Sequence, residues 1–379
     1  MNTDTHLVQG LDNDTVVADW PAITDKEIAW LQDRYPQLGS HGRLLWHSPR
    51  PLSAAAIVES GAAGPVFVKR HHASVRSAQV LGEEHRFIAH LAAAGIPVVQ
   101  VLRAVDGSTA VEHDGWTYEL HALAPGHDLY RDAPSWTPLT DAAQAREAGR
   151  VLARLHQASA GYQGPQRGTH LLVARDDLIR SADPVAMIAR DLHVRPGLAA
   201  YLARQTWQDD LQRAVLPWHA GLAARLQDEP RLWTHNDWHV SNLLWRASGE
   251  GMAVASVLDF GLASPTSALF DLATAIERNA VAWLDVDAPA PAARVPIALA
   301  LLEGYRDVLP LSVERVHLLA DLLPIVHLDF ALSEVEYFEG VTGSSANADV
   351  AYHTFLLGHA DWFKGTDGQA LLAALHAAA

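Results

Sequence analysis

A chain of 379 residues with 49% apolar content can build two lobes with a real core, which excludes a disordered protein. It has no cysteine, which excludes disulfide frameworks, thiolate metal sites and cysteine nucleophiles and fits a reducing, cytoplasmic location. A formal net charge of −16 argues against a nucleic-acid partner and would steer a cationic small molecule favourably.

The polar, acidic start MNTDTHLVQGLDNDT lacks a basic n-region and an apolar h-region, so no signal peptide is expected, and residues 1–20 read as a loose N-terminus. No window approaches the roughly 18 uninterrupted apolar residues of a membrane span, so no membrane partner is expected. Thr24 with Glu27 three residues on reads as a capping box opening a short helix. Three strands follow, Gly42–His47, Leu52–Glu59 and the run PVFVK ending on Lys69, with the turn Ser48-Pro49-Arg50-Pro51 between the first two. A helix over Ser74–Ala94 ends at Gly95 and Pro97. Its apolar stripe, Leu81, Ile88 and Leu91, also carries Glu84, while Glu83 points elsewhere. A carboxylate on a buried stripe needs a cationic partner, and Lys69 at the strand end is the nearest candidate. Such a pair can hold a lysine at a phosphate, or be an ordinary structural ion pair.

Val98–Val105 and Thr117–Leu123 read as two more strands, after which His121–Pro125 leave the sheet. The expected division is a nucleotide-binding lobe over 1–122 and a helical lobe over 123–379. The second lobe opens its helices at Asp141–Gln157 and is almost wholly helical after Asp271.

Between these helical stretches lies WTHNDWHVSNLLW, then VLDFGLASPTSALFD. Two apolar runs, joined by a turn near Ser248-Gly249, deliver Asn242 and Asp259 to one end. Asp237, Asn242 and Asp259-Phe260-Gly261 follow the H-x-D-x-x-x-x-N … D-F-G spacing of a phosphoryl-transfer site. In that chemistry Asp237 accepts the proton of an attacking alcohol. Asn242 and Asp259 give Mg²⁺ one neutral and one anionic oxygen, and Gly261 allows a sharp turn in the 259–261 segment. His235, Asp237 and His239 at alternate positions leave a metallohydrolase reading open, one that makes no use of Lys69, Asn242 or the Asp-Phe-Gly turn. Otherwise His235 is structural in the 235–242 loop, and His239 is structural or lines the acceptor site. Asp271 is an N-cap or a brace on the catalytic loop.

HNDWHVSNLLW … VLDFGLASPTSALFDLA resembles the aminoglycoside phosphotransferase and choline kinase family, whose usual pattern is H-G-D-x-H-x-x-N, I-D-F/W-x-x-A and D-x-A. EEHRFIAHLAAAGIPV, APGHDL, GRVLARLH and LLEGYRDVLPLSVERVHLL are similar to other family segments. The resemblance implies an α+β, two-lobed protein-kinase-like fold, with a small antiparallel sheet plus helix and a large helical lobe. It implies ATP, Mg²⁺ and transfer of the γ-phosphate to a hydroxyl of a small-molecule acceptor. Asp237 is then the base, Asn242 and Asp259 the metal ligands, Lys69 and Glu84 the phosphate-positioning pair, and the chain near His121 to Leu123 the adenine support. Two departures stand out. Asn236 replaces the usual glycine, and the phosphate-covering turn HSPRPLS has no glycine, leaving Ser48, Ser53 and backbone N–H groups as its grip.

Acceptors of the family include aminoglycosides, amino sugars, choline and homoserine. Asp329, Ser333 and Glu336 lie along one helical face with Glu334 nearby, and those acids suit an ammonium group or a solvated surface. Trp238 and Trp233 flank the base as stacking or packing residues. A kinase-like binding protein without catalysis is the alternative from another class. A protein kinase is disfavoured because too few residues separate Gly261 from the next helix for a peptide-docking loop. Oligomeric state is not legible.

Overall fold

The computed structural model describes residues 7–9, 15–40, 42–61, 64–134, 136–249, 251–284 and 291–379. The chain divides into one unit of Met1–His127 with Ala255–Leu258 and a second of Asp128–Val254 with Asp259–Ala379.

In the first unit the N-terminus is not wholly loose, because β1 (Leu7–Gln9) pairs antiparallel with β2 (Thr15–Val17). Next comes α1 (Asp25–Gln32), opened by the expected capping box. Thr24 accepts from the Glu27 amide at 3.3 Å, and Glu27 Oε2 accepts from the Thr24 amide at 2.8 Å. The main sheet holds β3 (Arg43–His47), β4 (Ala54–Glu59), β5 (Val66–His72), β6 (Val111–His113) and β7 (Trp116–Ala122), in the order β3-β4-β5-β7-β6. The expected strand over 98–105 does not form. Val98 and Val101 make only isolated bridges, to Val257 and to His121 at the far end of β7, while β6 pairs with Trp116–Tyr118.

Alternation along β5 and β7 sorts their side chains by face. On one face Arg70 and the Tyr118 hydroxyl reach Glu27 Oε1, the latter at 2.7 Å, which ties the sheet to α1. Lys69 lies opposite Glu119 and so shares the other face with it. There α2 (Ala78–Ala93) packs, capped by Ser77. Three imidazoles, His71, His85 and His121, reach Glu119 at 2.9, 2.7 and 2.9 Å. Burial alone would raise the Glu119 carboxyl, but His121 and the other two rings hold it well below the usual range. Glu84 and Glu83 are both buried on α2, so the stripe is wider than its spacing suggests.

In the second unit α3 (Ala142–Ser159) packs on the helix Val295–Arg306 at unusually close range. A Cβ on Gly149 would sit 2.1 Å from the Leu301 carbonyl oxygen, and one on Gly304 would sit 1.8 Å from that of Arg146. Two glycines facing across the contact let the backbones touch. The run Val313–Thr342 is long and apolar enough to cross a membrane by composition, but 89% of its most apolar window is buried in this unit.

Two short ladders frame the loops of interest. β8 (Arg231–Thr234) pairs antiparallel with β11 (Ser264–Ser267), Thr234 opposite Ser264. β9 (Leu243–Ser248) pairs with β10 (Gly251–Val257) around Gly249, and β10 runs on into the first unit, where the Val257 amide reaches the Pro97 carbonyl at 2.7 Å. Loop 235–242 thus leaves β8 beside the point where 258–263 enters β11.

Candidate active site

The helix Ala268–Ala280 builds the floor of loop 235–242. Ser267 is its N-cap, so Asp271 is not; it stands in the first turn, fully buried. Its two oxygens accept the amides of Asn236 at 2.8 Å and His235 at 2.9 Å. His156 Nε2 meets the same carboxylate at 2.9 Å, and its Nδ1 meets the Tyr305 hydroxyl at 2.9 Å. Two turns further along, Asn279 receives the Val240 amide at 3.0 Å and donates to the Trp238 carbonyl at 2.8 Å. One helix therefore clamps both halves of the loop.

Asn236 sits at φ +62°, in the left-handed region where a glycine is the usual choice. Its side chain does what glycine cannot. Oδ1 accepts from the Thr234 and Thr266 hydroxyls at 2.9 Å each, and Nδ2 reaches the Ser264 hydroxyl at 3.3 Å.

Asp237 follows, with its amide on His235 Nδ1 at 3.2 Å. Its Oδ2 accepts from Asn242 Nδ2 at 3.1 Å, and Oδ1 pairs with Arg278 Nη1, with His239 Nε2 3.5 Å away. Because Asn242 donates its nitrogen to Asp237, its oxygen is the atom turned to other use. His235 is wholly buried and packs against Phe260 and Trp238, with ring centroids 4.7 and 5.4 Å apart. With His235 Nδ1 engaged by backbone, the sets of three or more histidine and carboxylate groups that converge among the described residues lie elsewhere.

Asp259 is exposed, and it is this residue, not Gly261, that takes positive φ, at +50°. Its Oδ1 accepts the Gly261 amide at 3.2 Å. A Cβ on Gly261 would stand only 3.1 Å from that oxygen, so a side chain here would crowd the Asp259 carboxylate. Arg167 Nη1 holds the carbonyls of Gly261 and Ala263 at 3.2 and 3.1 Å. An amide oxygen and a carboxylate are hard donors that suit Mg²⁺.

Lys69 lies on β5 and Glu84 is buried on α2. Ser48 is buried and its hydroxyl accepts the Arg50 amide at 3.2 Å, Ser53 lies in the bend before β4, His121 is on Glu119, and Leu123 is 46% exposed just past β7. Trp238 is fully buried, a packing position with no exposed face for a sugar. The face carrying Asp329, Ser333 and Glu336 turns to residues 170–195. Asp329 accepts the Leu178 amide at 3.2 Å, Ser333 accepts the Leu172 amide at 2.6 Å, and Glu336 pairs with Arg195 at 2.5 Å.

Sequence reasoning missed Arg278 and Asn279. Arg278, seven residues past Asp271, shares its helix face, and that spacing was the available signal. Burial depresses the Arg278 guanidinium to about 10 against the attraction of Glu334, and burial raises Glu334 to about 8 against that of Arg278.

The sheet unit, the helical unit and the clamped loop define a protein-kinase-like fold. The chain belongs to the phosphotransferase enzyme family, whose profile matches residues 53–311. Among curated proteins it is similar to homoserine kinase of Azorhizobium caulinodans, 26% identical over 247 residues, 65% of this chain and 66% of that one. It is also similar to homoserine kinase of Caulobacter vibrioides, 29% identical over 223 residues, 59% of each chain. The matches thus span about two thirds or less of those relatives. Solved structures with the same fold include an amicoumacin kinase in complex with AMP-PNP and Ca²⁺, with TM-score 0.59 at 13% identity, covering 88% of this chain and 95% of that one. A microcompartment-associated aminopropanol kinase gives 0.58 at 17%, covering 91% and 99%. A spectinomycin phosphotransferase in complex with ADP gives 0.53 at 12%, covering 95% and 99%.

Proposed function

We propose that this protein is a small-molecule kinase that moves the γ-phosphate of ATP to a hydroxyl of an amine-bearing acceptor, with Asp237 as base. The observation that carries the reading is the clamp. Asp271 fixes the amides on the N-terminal side of Asp237, while Asn242 fixes Oδ2 of Asp237 itself. A base held this way is oriented before the acceptor arrives. The acceptor hydroxyl approaches Asp237 beside His239, and its proton passes to the carboxylate as the new oxygen–phosphorus bond forms and the bond to the ADP leaving oxygen breaks. Asn242 Oδ1 and Asp259 would hold Mg²⁺, which supplies charge neutralisation at the phosphates. Lys69, kept straight by Glu84, would bind the nucleotide phosphates, with Ser48 and Ser53 at the turn and the chain from His121 to Leu123 at the base. AMP-PNP, ADP and Ca²⁺ in the similar structures support use of a nucleotide with a divalent metal.

Homoserine and short amino alcohols are the first acceptors to test, since the similar proteins named for their substrates include homoserine kinases and an aminopropanol kinase. Aminoglycosides and amino sugars come second. Acceptor-dependent ADP release across this panel tests the reading; release with none of them would favour a kinase-like binding protein.

A further inference from the structure

Outside the loop that carries Asp237, the second unit buries a compact group of ionisable side chains: Glu277, His327, Glu334 and His359, each at most 5% exposed. Glu277 Oε1 stands 3.3 Å from His359 Nε2 and 3.9 Å from His327 Nδ1. Each of Glu277, His327 and His359 offers one ligand atom, and the three atoms lie within 4.8 Å of one another. Glu334 Oε2 lies 3.8 Å from the other nitrogen of His327. Four atoms here, Glu277 Oε2, His327 Nε2, Glu334 Oε2 and His359 Nε2, are buried with no hydrogen-bond partner among the described residues. Buried polar atoms are nearly always satisfied; His327 Nε2 and Glu334 Oε2 face each other, which leaves His359 Nε2 and Glu277 Oε2 to another partner. The His85–Glu119–His121 group of the first unit is the contrast, since there Glu119 is satisfied by the imidazoles around it.

We propose that Glu277, His327 and His359 bind a divalent transition-metal ion of the Zn²⁺ class. Two imidazole nitrogens and one carboxylate favour zinc over Mg²⁺ or Ca²⁺, which take oxygen. Zinc ligands at about 2.0–2.1 Å in tetrahedral array stand roughly 3.4 Å apart, so the present spacings need only small ring adjustments. Glu334 takes the role of the carboxylate that receives the second N–H of a ligating histidine and fixes its ring. Charge points the same way, since Arg278, 3.8 Å from Glu277 Oε2, is already paired with Asp237. The ion would join the end of the helix Ala268–Ala280, the residue preceding the helix Leu328–Tyr337 and the start of His359–Trp362. It serves as a structural staple, and by fixing Glu277 it steadies the neighbouring Arg278.

The test uses the full chain without nucleotide or acceptor, so its outcome is independent of the phosphotransferase reading. Protein stripped with chelator is reloaded with Zn²⁺, desalted and analysed for metal. One tightly held equivalent and a raised melting temperature are expected, with Co²⁺ giving the intense visible bands of a four- or five-coordinate site. Glu277→Gln and His359→Gln should each lose the ion and the melting shift, whereas His376→Gln should keep both. No retained equivalent in the wild-type protein would overturn the proposal. Metal retained in both ligand variants, or lost instead in His239→Gln, would overturn it as well, because the ion would then sit elsewhere. If a ligand variant fails to fold, the wild-type stoichiometry and Co²⁺ spectrum still decide.

Discussion

Arg278 closes an ion pair on Oδ1 of Asp237, the oxygen that Asn242 leaves open. The guanidinium is 3% exposed and stacks near Trp136 and Phe330, its carbon 5.0 and 5.3 Å from the ring centroids. An arginine held this way fixes the direction in which Asp237 faces. Arg278→Gln leaves the half-buried Asp237 carboxylate short of its partner; removing one member of a fully buried pair costs about 3–5 kcal/mol, which is the upper bound here. Chemical denaturation should show a loss within that bound, and kcat should fall while the KM for ATP stays put. A rise in the KM for ATP with unchanged kcat would place Arg278 in nucleotide binding instead.

Asp271 acts on the loop and not on substrate. Asp271→Asn keeps one acceptor but turns a donor toward a backbone amide. A cost of about 2–4 kcal/mol and a drop in kcat of about tenfold or more are expected. Nucleotide affinity by calorimetry should be unchanged, and Asp271→Glu should not rescue.

Asn236 separates two contributions. Asn236→Gly relaxes the backbone but loses the bonds to Thr234, Thr266 and Ser264, so stability should fall by about 1–3 kcal/mol with turnover retained. Asn236→Ala also incurs left-handed strain of about 1–2 kcal/mol and should be the less stable of the two. Equal stabilities would mean that the side-chain bonds alone set this position.

Much of this arrangement was legible in the sequence. The capping box, the strands around Lys69, the loop spacing and the tolerance of Asn236 for positive φ all follow from local rules that side-chain chemistry enforces. What lay hidden depends on which neighbour covers a given helix face. Asp329 and Glu336 share a face with Ser333 as spacing requires, but periodicity is silent on whether residues 170–195 or a substrate covers it. Arg278 has the periodicity of Asp271, yet its meeting with Asp237 needs the β8–β11 ladder to bring the loop over the helix. Val98–Val105 has strand composition, but it divides its partners, Val98 bridging Val257 and Val101 bridging His121, so no continuous ladder forms.

Asp329 gives a pH dependence. Burial pushes its carboxyl up to about 7; Asp177 adds to the rise, while the Leu178 amide, Arg195 and Arg175 oppose it. The native state therefore holds a proton that the unfolded chain releases near pH 4, and stability falls as pH rises from about 4 to about 7, then levels. Asp329→Asn keeps the acceptor for Leu178 and should flatten that decline, with the largest gain in melting temperature at pH 7 and above. A steeper decline in the variant would reverse the sign of this contribution.

The central claim is that Asp237 takes the proton of the acceptor hydroxyl. The direct measurement is single-turnover transfer from ATP to the best acceptor of the panel by Asp237→Asn, with nucleotide affinity measured alongside. Transfer should fall by about 10²–10⁴-fold, with nucleotide affinity unchanged. Transfer at the wild-type rate in this variant would contradict the assignment of the base and the proposed mechanism with it.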